Sequence, residues 1–302
     1  MIIGTRGSDL ATTQTNTIAT LIGAKLGIEL QIKIIQTLGD RVTDRPLREI
    51  EGRGYFTKEI EEALLAHEID LAVHSFKDMP SKAPEGLALA AISVREDPAD
   101  LLIMRKDACD LSHKRLPVAT GATVGTSAVR RENQIRAMRP DLITRDLRGN
   151  VPTRVAKLAQ GQYDAIFLAA AGIRRLGLDL SGFRVARLDP TWFIPAPGQG
   201  ALAIQMRADD PSFAAVQTAL HDPITATATS AERRIQARFG GGCGLPLGAY
   251  ANRDDNGWHV HGFWGEDVSH PVWAAVHGED PTELADQLYA TLAKEQACPA
   301  EC

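Results

Sequence analysis

A polar segment at residues 74–80, with the sequence HSFKDMP, carries side chains that could do chemistry. It follows an apolar run, so we expect it at the carboxyl end of a buried strand, where open α/β sheets bind ligands. Ser75, Lys77 and Asp78 would face that edge, and the Asp78 carboxylate could accept two hydrogen bonds or balance a developing cation. A tight turn with a surface salt bridge is the alternative interpretation.

A second candidate site lies at residues 125–131, with the sequence GTSAVRR. A strand passes through a glycine into a helix start, where free backbone N–H groups and the helix dipole favour anions. Thr126 and Ser127 add hydroxyl donors, and Arg130 and Arg131 add forked, permanently charged donors suited to carboxylates. The pattern predicts a site for a carboxylate or a phosphate.

A similar anion-binding helix start is expected at residues 148–154. Arg148 and Gly149 precede Asn150, which is a favourable N-cap, and Arg154 lies one turn further on. Arginines cluster between residues 130 and 154 although the formal net charge of the chain is −5. An acidic chain with a local arginine cluster favours a small polyanionic ligand over nucleic acid. Two members of the cluster are expected on a solvated helix face instead, Arg136 and Arg139.

Cys243 lies among glycines in the sequence GGGCG, residues 240–244. A thiolate is a strong nucleophile, and glycine neighbours leave its sulfur open to close approach by a ligand. No histidine pairs with it in the nearby sequence, so Cys243 is a candidate point of covalent attachment, with an inert buried thiol as the alternative. The four cysteines are too sparse for a disulfide framework, and we see no metal-ligand spacing and no Walker loop.

The elements that must position these residues alternate between apolar strands and amphipathic helices from residue 2 to residue 74. Ser8 and Thr57 are plausible N-caps of two of the helices. The same order of elements recurs between residues 124 and 168. We therefore expect two similar α/β domains, each with a mostly parallel sheet, and a ligand cleft between them.

The pattern changes after residue 201 to helices, then strands joined by polar turns, and a closing helix at 281–294. Successive strands followed by a helix predict a small α+β domain with an antiparallel sheet. Residues 195–208 could return to the first domain. The polar segment 38–56, which contains three glycines, is either a lid over the site or a disordered insertion.

The composition is that of an ordinary globular protein, with 44% hydrophobic and 24% charged residues. The N-terminal residues lack the basic and apolar regions of a secretion signal. No apolar run approaches the ~20 residues needed to span a bilayer. We expect a cytoplasmic location, no membrane partner and no nucleic-acid partner.

Several motifs, taken together and in this order, resemble those of the porphobilinogen deaminase family over nearly the whole chain. They lie at residues 5–14 (TRGSDLATTQ), 74–80, 125–131, 148–150 (RGN), 170–177 (AAGIRRLG), 195–200 (PAPGQG) and 241–243 (GGC). The chain departs from the family at Phe76, where a smaller aliphatic residue or methionine is usual, and at Gly244, where a larger polar residue is common.

The resemblance implies an α/β fold of two lobes like those of type II periplasmic binding proteins, plus a small α+β C-terminal domain with an antiparallel sheet. The expected domains are residues 1–93 with 195–212, residues 98–190, and residues 213–302. We expect the protein to be a monomer.

The resemblance also implies a dipyrromethane cofactor, held through a thioether by Cys243, and porphobilinogen as the substrate. Asp78 matches the catalytic aspartate, which stabilises positive charge during deamination and coupling, and four rounds followed by hydrolysis release hydroxymethylbilane. Positions that bind the acetate and propionate groups of cofactor and substrate are matched by Arg6, Ser8, Ser75, Lys77, Thr126, Ser127, Arg130, Arg131, Arg148, Arg154 and Arg175. Two residues within the shared motifs are added to this binding set, Gly149 and Gln199.

Two other classes of protein compete with this interpretation. A non-catalytic, two-lobed anion-binding protein explains the duplication and the arginines, but neither Cys243 nor the third domain. A transcriptional effector-binding module needs a DNA-binding segment, and the sequence contains no credible helix-turn-helix with a basic face.

Overall fold

The structure of the chain, a computed structural model, describes residues 1–41, 56–242 and 244–297. Most of the predicted lid, residues 42–55, lies outside these ranges, as do Cys243, Cys298 and Cys302. The chain divides into two compact units. The first is Met1–Glu96 with Gly200–Thr227, and the second is Asp97–Gln199 with Ala228–Cys302.

The first unit is built on a five-stranded sheet. Its strands are β1 (Ile2–Thr5), β2 (Gln31–Ile34), β3 (Leu71–Ser75), β4 (Leu87–Ile92) and β10 (Leu202–Arg207). Their order across the sheet is β2-β1-β3-β10-β4. β1 runs parallel to β2 and β3, whereas β10 runs antiparallel to both of its neighbours. The chain thus returns to the first sheet with residues 202–207.

Among the described residues of this unit, four helices lie wholly within it: α1 (Asp9–Leu26), α2 (Leu38–Arg41), α3 (Lys58–Leu65) and α7 (Phe213–Leu220). Ser8 caps α1 as predicted, because its hydroxyl accepts a hydrogen bond from the N–H of Ala11 at 3.4 Å. Thr57 occupies the N-cap position of α3, but its side chain makes no capping hydrogen bond. The prediction was therefore right about where α3 begins and wrong about the cap.

The second unit contains a sheet of the same design. Its strands are β5 (Asp100–Met104), β6 (Thr123–Gly125), β7 (Ile143–Arg145), β8 (Ala165–Ala169) and β9 (Arg184–Arg187). Their order is β7-β6-β8-β5-β9, with β6 parallel to β7 and β8, and β5 antiparallel to β8 and β9. Three helices accompany it: α4 (Val129–Met138), α5 (Val151–Ala159) and α6 (Ala170–Leu176). Each sheet therefore places one antiparallel strand between strands that run parallel to each other.

The C-terminal part folds as an antiparallel meander with two helices. It consists of α8 (Pro223–Arg238), β11 (Leu247–Asp254), β12 (Gly257–Trp264), β13 (Val272–Gly278) and α9 (Pro281–Ala297). Trp258, Trp264 and Leu288 lie in its buried core. Two α/β sheets and a small antiparallel sheet confirm the predicted fold class. The boundaries of the three predicted domains stay a prediction.

The small sheet packs closely against the rest of the second unit. A Cβ on Gly248 would lie 2.8 Å from Cβ of Ile194, so only glycine permits this approach. The N–H of Ala249 donates to the carbonyl of Pro195 at 3.0 Å, and the Asn133 amide donates to the carbonyl of Gly265 at 2.6 Å. Among the described residues no helix is both long enough and apolar enough to cross a membrane.

Candidate active site

A cleft in the first unit brings together four of the predicted site residues, Arg6, Ser8, Ser75 and Asp78. β1 and β3 are parallel neighbours, so their carboxyl ends meet at one edge of the sheet. Arg6 and Ser8 follow β1, and Ser75 ends β3. The sheet topology, rather than proximity in the sequence, assembles the cleft.

Asp78 closes a short 3₁₀ helix, Phe76–Asp78, directly after β3. Phe76 anchors this turn: its side chain is buried in a cluster with Met79, Ile92 and Ala201, and its N–H donates to the carbonyl of Ala201 at 3.0 Å. The phenyl ring of Phe76, which is larger than the residue usual in the family, therefore packs in the core. The anchored turn leaves Asp78 half-buried at the cleft.

Two further residues of the cleft were missed by the sequence analysis. The Arg6 guanidinium lies over the ring of Phe56, 4.0 Å from its centroid, and the amide nitrogen of Gln14 lies 3.1 Å from Oγ of Ser75. A signal for Gln14 was present, since it ends the shared motif at residues 5–14. Lys77 belongs to the same turn as Asp78, but it does not line the cleft.

A buried polar chain runs beneath the cleft. Nε2 of His74 lies 3.0 Å from Oε1 of Gln205, and Nε2 of Gln205 donates to Oε1 of Glu61 at 3.1 Å. Burial lowers the pKa of His74 to about 4, against the opposing effect of the Gln205 hydrogen bond. Burial also raises the pKa of Glu61. His74 is one of the residues that line the cleft, and its ring is therefore neutral at neutral pH.

The neutral His74 ring makes stability depend on pH. The unfolded ring takes up a proton near pH 6.5, whereas the folded ring does so only near pH 4. The stabilisation is thus fully present above pH 6.5 and is lost as the pH falls towards 4. From pH 7 to pH 5 it amounts to about 2 kcal/mol. Urea unfolding measures the free energy of unfolding at both pH values. Between pH 7 and pH 5 this free energy should fall by about 2 kcal/mol less in His74→Asn than in the unsubstituted protein. Equal falls in the two proteins would contradict the prediction.

The second unit buries a carboxylate between two of the predicted arginines. Asp100, which is fully buried at the start of β5, accepts from Arg130 at 2.8 Å and from Arg131 at 2.6 Å. The amide of Gln199 donates to the same carboxylate at 2.9 Å. The guanidinium groups also donate to the carbonyls of Ile194 and Phe167. Three predicted site residues therefore meet around a fourth residue that the sequence analysis missed.

The electrostatics of this cluster are those of a structural ion pair. Burial by itself raises the pKa of Asp100, but the adjacent Arg130 and Arg131 charges and the hydrogen bonds lower it well below its usual range. In this structure the carboxylate that these two guanidinium groups hold is the protein's own. Nε of Arg131 has no hydrogen-bond partner among the described residues. Contact of Arg130 and Arg131 with a ligand stays a prediction.

Removal of the Asp100 carboxylate is expected to destabilise the fold strongly. Asp100→Ala leaves two buried guanidinium groups without their anion, and breaking a buried pair costs about 3–5 kcal/mol. Asp286→Ala is the matched control, because Asp286 accepts two hydrogen bonds from Arg234 at the surface. We expect a much smaller loss in that variant. Urea unfolding at pH 7 measures both, and a small loss in Asp100→Ala would show that the ion pair contributes little.

The remaining predicted residues of the second unit lie near the start of α5 and in the segments around it. Ser127 donates to the carbonyl of Leu147 at 2.6 Å and accepts from its N–H, which holds the chain just before Arg148. Asn150 caps α5 as predicted, and Nε of Arg154 donates to the carbonyl of Gly149 at 2.7 Å.

Gly149 has a φ of 112°, a conformation that favours glycine. Buried Thr126 accepts from the N–H of Ala128, and Arg175 lies in the last turn of α6.

The two arginines that were expected on a solvated helix face differ in their exposure to solvent. Arg136 is exposed and pairs with Glu132. Arg139 is buried and donates to Asp141 and to the carbonyls of Leu116 and Val118, so the prediction was wrong for this residue. A separate cavity of about 500 Å³ lies beside Arg139 and is lined by none of the predicted site residues.

No group of three or more His, Cys, Asp or Glu side chains that could bind a metal ion is found within the described ranges.

Comparison with known proteins decides the family. A family model described as "Porphobilinogen deaminase, dipyromethane cofactor binding domain" matches residues 1–215. The porphobilinogen deaminase of Streptococcus sanguinis is 42% identical over 298 residues, 98% of this chain and 96% of the relative. That of a Roseiflexus species is 46% identical over 295 residues, 95% of each chain. The chain belongs to the porphobilinogen deaminase family.

These matches confirm the family that was predicted from the motifs. The description of the matching family model also names the predicted dipyrromethane cofactor. The cleft residues Arg6, Ser8, Ser75 and Asp78 all lie inside the matched range. Among solved structures, a periplasmic substrate-binding protein of an ABC transporter from Coxiella burnetii aligns with a TM-score of 0.44 at 13% identity. The alignment covers 77% of this chain and 96% of the Coxiella burnetii protein.

Proposed function

We propose that the chain is a porphobilinogen deaminase, that is, a hydroxymethylbilane synthase of tetrapyrrole biosynthesis. This transferase deaminates four porphobilinogen molecules, joins them head to tail on a covalently bound dipyrromethane, and releases hydroxymethylbilane by hydrolysis. Membership of the family over almost the full length carries the proposal. The cleft supports it, because it places the Asp78 carboxylate beside a cation and hydroxyl groups at one sheet edge.

The glycines that flank Cys243 in the sequence leave room for a covalently attached group. An added Cβ on Gly240, Gly242 or Gly244 would meet no described atom within 4 Å, so the flanking chain leaves open space. We propose that Cys243 holds the dipyrromethane through a thioether and that the cationic and hydroxyl side chains bind its carboxylates. When bound, this group supplies the nucleophilic pyrrole carbon to which each substrate unit is joined.

The protein's own side chains have separate roles in the proposed reaction. The Asp78 carboxylate stabilises the positive charge that develops when the substrate loses ammonia. Arg6, Ser8 and Ser75 bind carboxylate groups at the cleft. The other proposed carboxylate-binding residues are Lys77, Thr126, Ser127, Arg130, Arg131, Arg148, Gly149, Arg154, Arg175 and Gln199.

We further propose that the protein works as a cytoplasmic monomer.

Product stoichiometry tests the proposed function directly. Purified protein incubated with porphobilinogen should release about four molecules of ammonia for each hydroxymethylbilane formed, since each condensation expels one. Ammonia release without a linear tetrapyrrole, or no ammonia release at all, would contradict the proposal.

A further inference from the structure

The hydrogen bonds that link Glu61, Gln205 and His74 beneath the cleft have a defined donor and acceptor at each step. Nε2 of Gln205 donates to Oε1 of Glu61 at 3.1 Å, so the NH₂ group of Gln205 faces Glu61. The carbonyl oxygen of Gln205 then faces His74, and a carbonyl also only accepts. The proton of the neutral ring must therefore sit on Nε2, which leaves Nδ1 of His74 with a free lone pair.

The position of these three residues follows from the sheet. β10 pairs with β3 so that Ala203 lies opposite His74, and Gln205 is two residues further along β10. Gln205 and His74 are thus diagonal neighbours on one face of the sheet. All three side chains of the network are at least nine-tenths buried. The amide of Gln205 is bonded at both ends and holds one orientation, because the opposite orientation would place its carbonyl oxygen against Oε1 of Glu61.

The network ends at the cleft. His74 lines it together with Arg6, Ser75 and Asp78. Nδ1 of His74 makes no hydrogen bond to any described residue. The cleft has a volume of about 70 Å³, which admits a small polar group at the end of a ligand rather than a whole dicarboxylic pyrrole.

We propose that His74 is a further substrate-binding residue, whose Nδ1 accepts a hydrogen bond from the ammonium of the substrate's aminomethyl group, and that Gln205 and Glu61 are positioning residues that set its tautomer. The proposal rests on the proposed function, because it takes porphobilinogen as the ligand.

A neutral acceptor suits the chemistry of this step. The C–N bond breaks with its electron pair leaving on nitrogen, so the ammonium departs as neutral ammonia and the positive charge remains on the pyrrole methylene carbon. A charged imidazolium would repel both the substrate and this cation. Burial and the nearby charge of Arg6 keep the ring neutral, with a pKa of about 4, although the carboxyl groups of Glu61 and Asp78 also lie near it.

Two substitutions at one position separate substrate binding from a structural role. His74→Asn keeps an acceptor near the place of Nδ1 but cannot reach Gln205, whereas His74→Gln keeps the Gln205 contact and loses the Nδ1 acceptor. We expect His74→Gln to lower kcat/KM for porphobilinogen about 10- to 100-fold more than His74→Asn does, the effect of one hydrogen bond to a charged group. A purely structural role predicts the reverse order, and that order would overturn the proposal.

The tautomer is measured without activity. Nitrogen-15 spectra of the imidazole rings in the wild-type protein at pH 7 should show a proton on Nε2 of His74 and a bare Nδ1. In Gln205→Met, which removes the accepting carbonyl, we expect this preference to weaken and kcat/KM to fall about tenfold. A proton on Nδ1 in the wild type, or identical ring spectra in both proteins, would overturn the positioning role.

Failure of this inference can be told apart from failure of the proposed function. If the wild-type protein forms hydroxymethylbilane but the His74 ring carries its proton on Nδ1, only the inference is wrong. If no product forms at all, the proposed function is wrong, and the spectra still report the tautomer. The thermal midpoint of each variant shows whether it has folded.

Discussion

Cys243→Ala is expected to yield a protein whose native mass equals its sequence mass, whereas we expect the unsubstituted protein to be heavier by two linked pyrroles. The reason is that a thioether at this sulfur is the proposed tether, and alanine cannot form one. Turnover of porphobilinogen should fall by about 10³-fold or more, because the position at which the chain grows is lost. Intact mass spectrometry under native and denaturing conditions measures the mass, and a porphobilinogen assay measures turnover.

The chain offers a matched control for this experiment. Cys109 is a free, half-buried cysteine beside an isolated β-bridge to Val118, and no proposed site residue belongs to that bridge. Cys109→Ala should retain both the extra mass and the turnover. If Cys243→Ala carried the same extra mass as the unsubstituted protein, the tether would be elsewhere and the assignment of Cys243 would fall.

Asp78→Ala is expected to abolish turnover while leaving the fold intact. The carboxylate is half-buried at the cleft and is held there by a turn that Phe76 anchors in the core. Loss of a charge aimed at a developing cation typically costs about 10²–10³-fold in kcat. Asp78→Asn should be nearly as inactive, because an amide keeps the shape but not the charge. Steady-state kinetics and the thermal midpoint are the measurements.

Asp107 provides the control for Asp78. It lies after a lysine in the 3₁₀ helix Lys106–Ala108, close behind β5, and it pairs with Arg105 at the surface. Asp107→Ala should therefore keep full turnover. Near-normal turnover in Asp78→Ala, with the same thermal midpoint, would remove Asp78 from the mechanism.

Local patterns were enough to predict most elements. The closing helix was expected at 281–294 and is found at Pro281–Ala297, and Asn150 was recognised as an N-cap from its type and position. These features depend on side chains within a few residues of each other, so the sequence shows them directly. The predicted cap at Thr57 was wrong: the residue precedes α3, but its backbone is not extended (φ −124°, ψ −29°) and its side chain makes no capping hydrogen bond.

Charge pairing could not be predicted in the same way. Arg130 and Arg131 were assigned to a ligand because they follow a helix start, and the sequence does not show that Asp100 lies between them. Arg139 was expected in solvent for a similar reason. A guanidinium group pairs with whichever carboxylate or carbonyl the fold brings within 3 Å, and that choice depends on which strands become neighbours.

Motifs and local periodicity were sufficient to identify the family, to predict two similar α/β domains, and to mark residues 74–80 as a candidate site and Cys243 as a candidate tether. The shared cleft of Arg6, Ser75 and Asp78 and the hydrogen bond between Gln205 and His74 became visible only in the folded chain. The cleft forms because β1 lies beside β3, and the Gln205–His74 contact forms because β10 is inserted between β3 and β4. That non-local pairing joins residues 131 positions apart, and no local pattern encodes it.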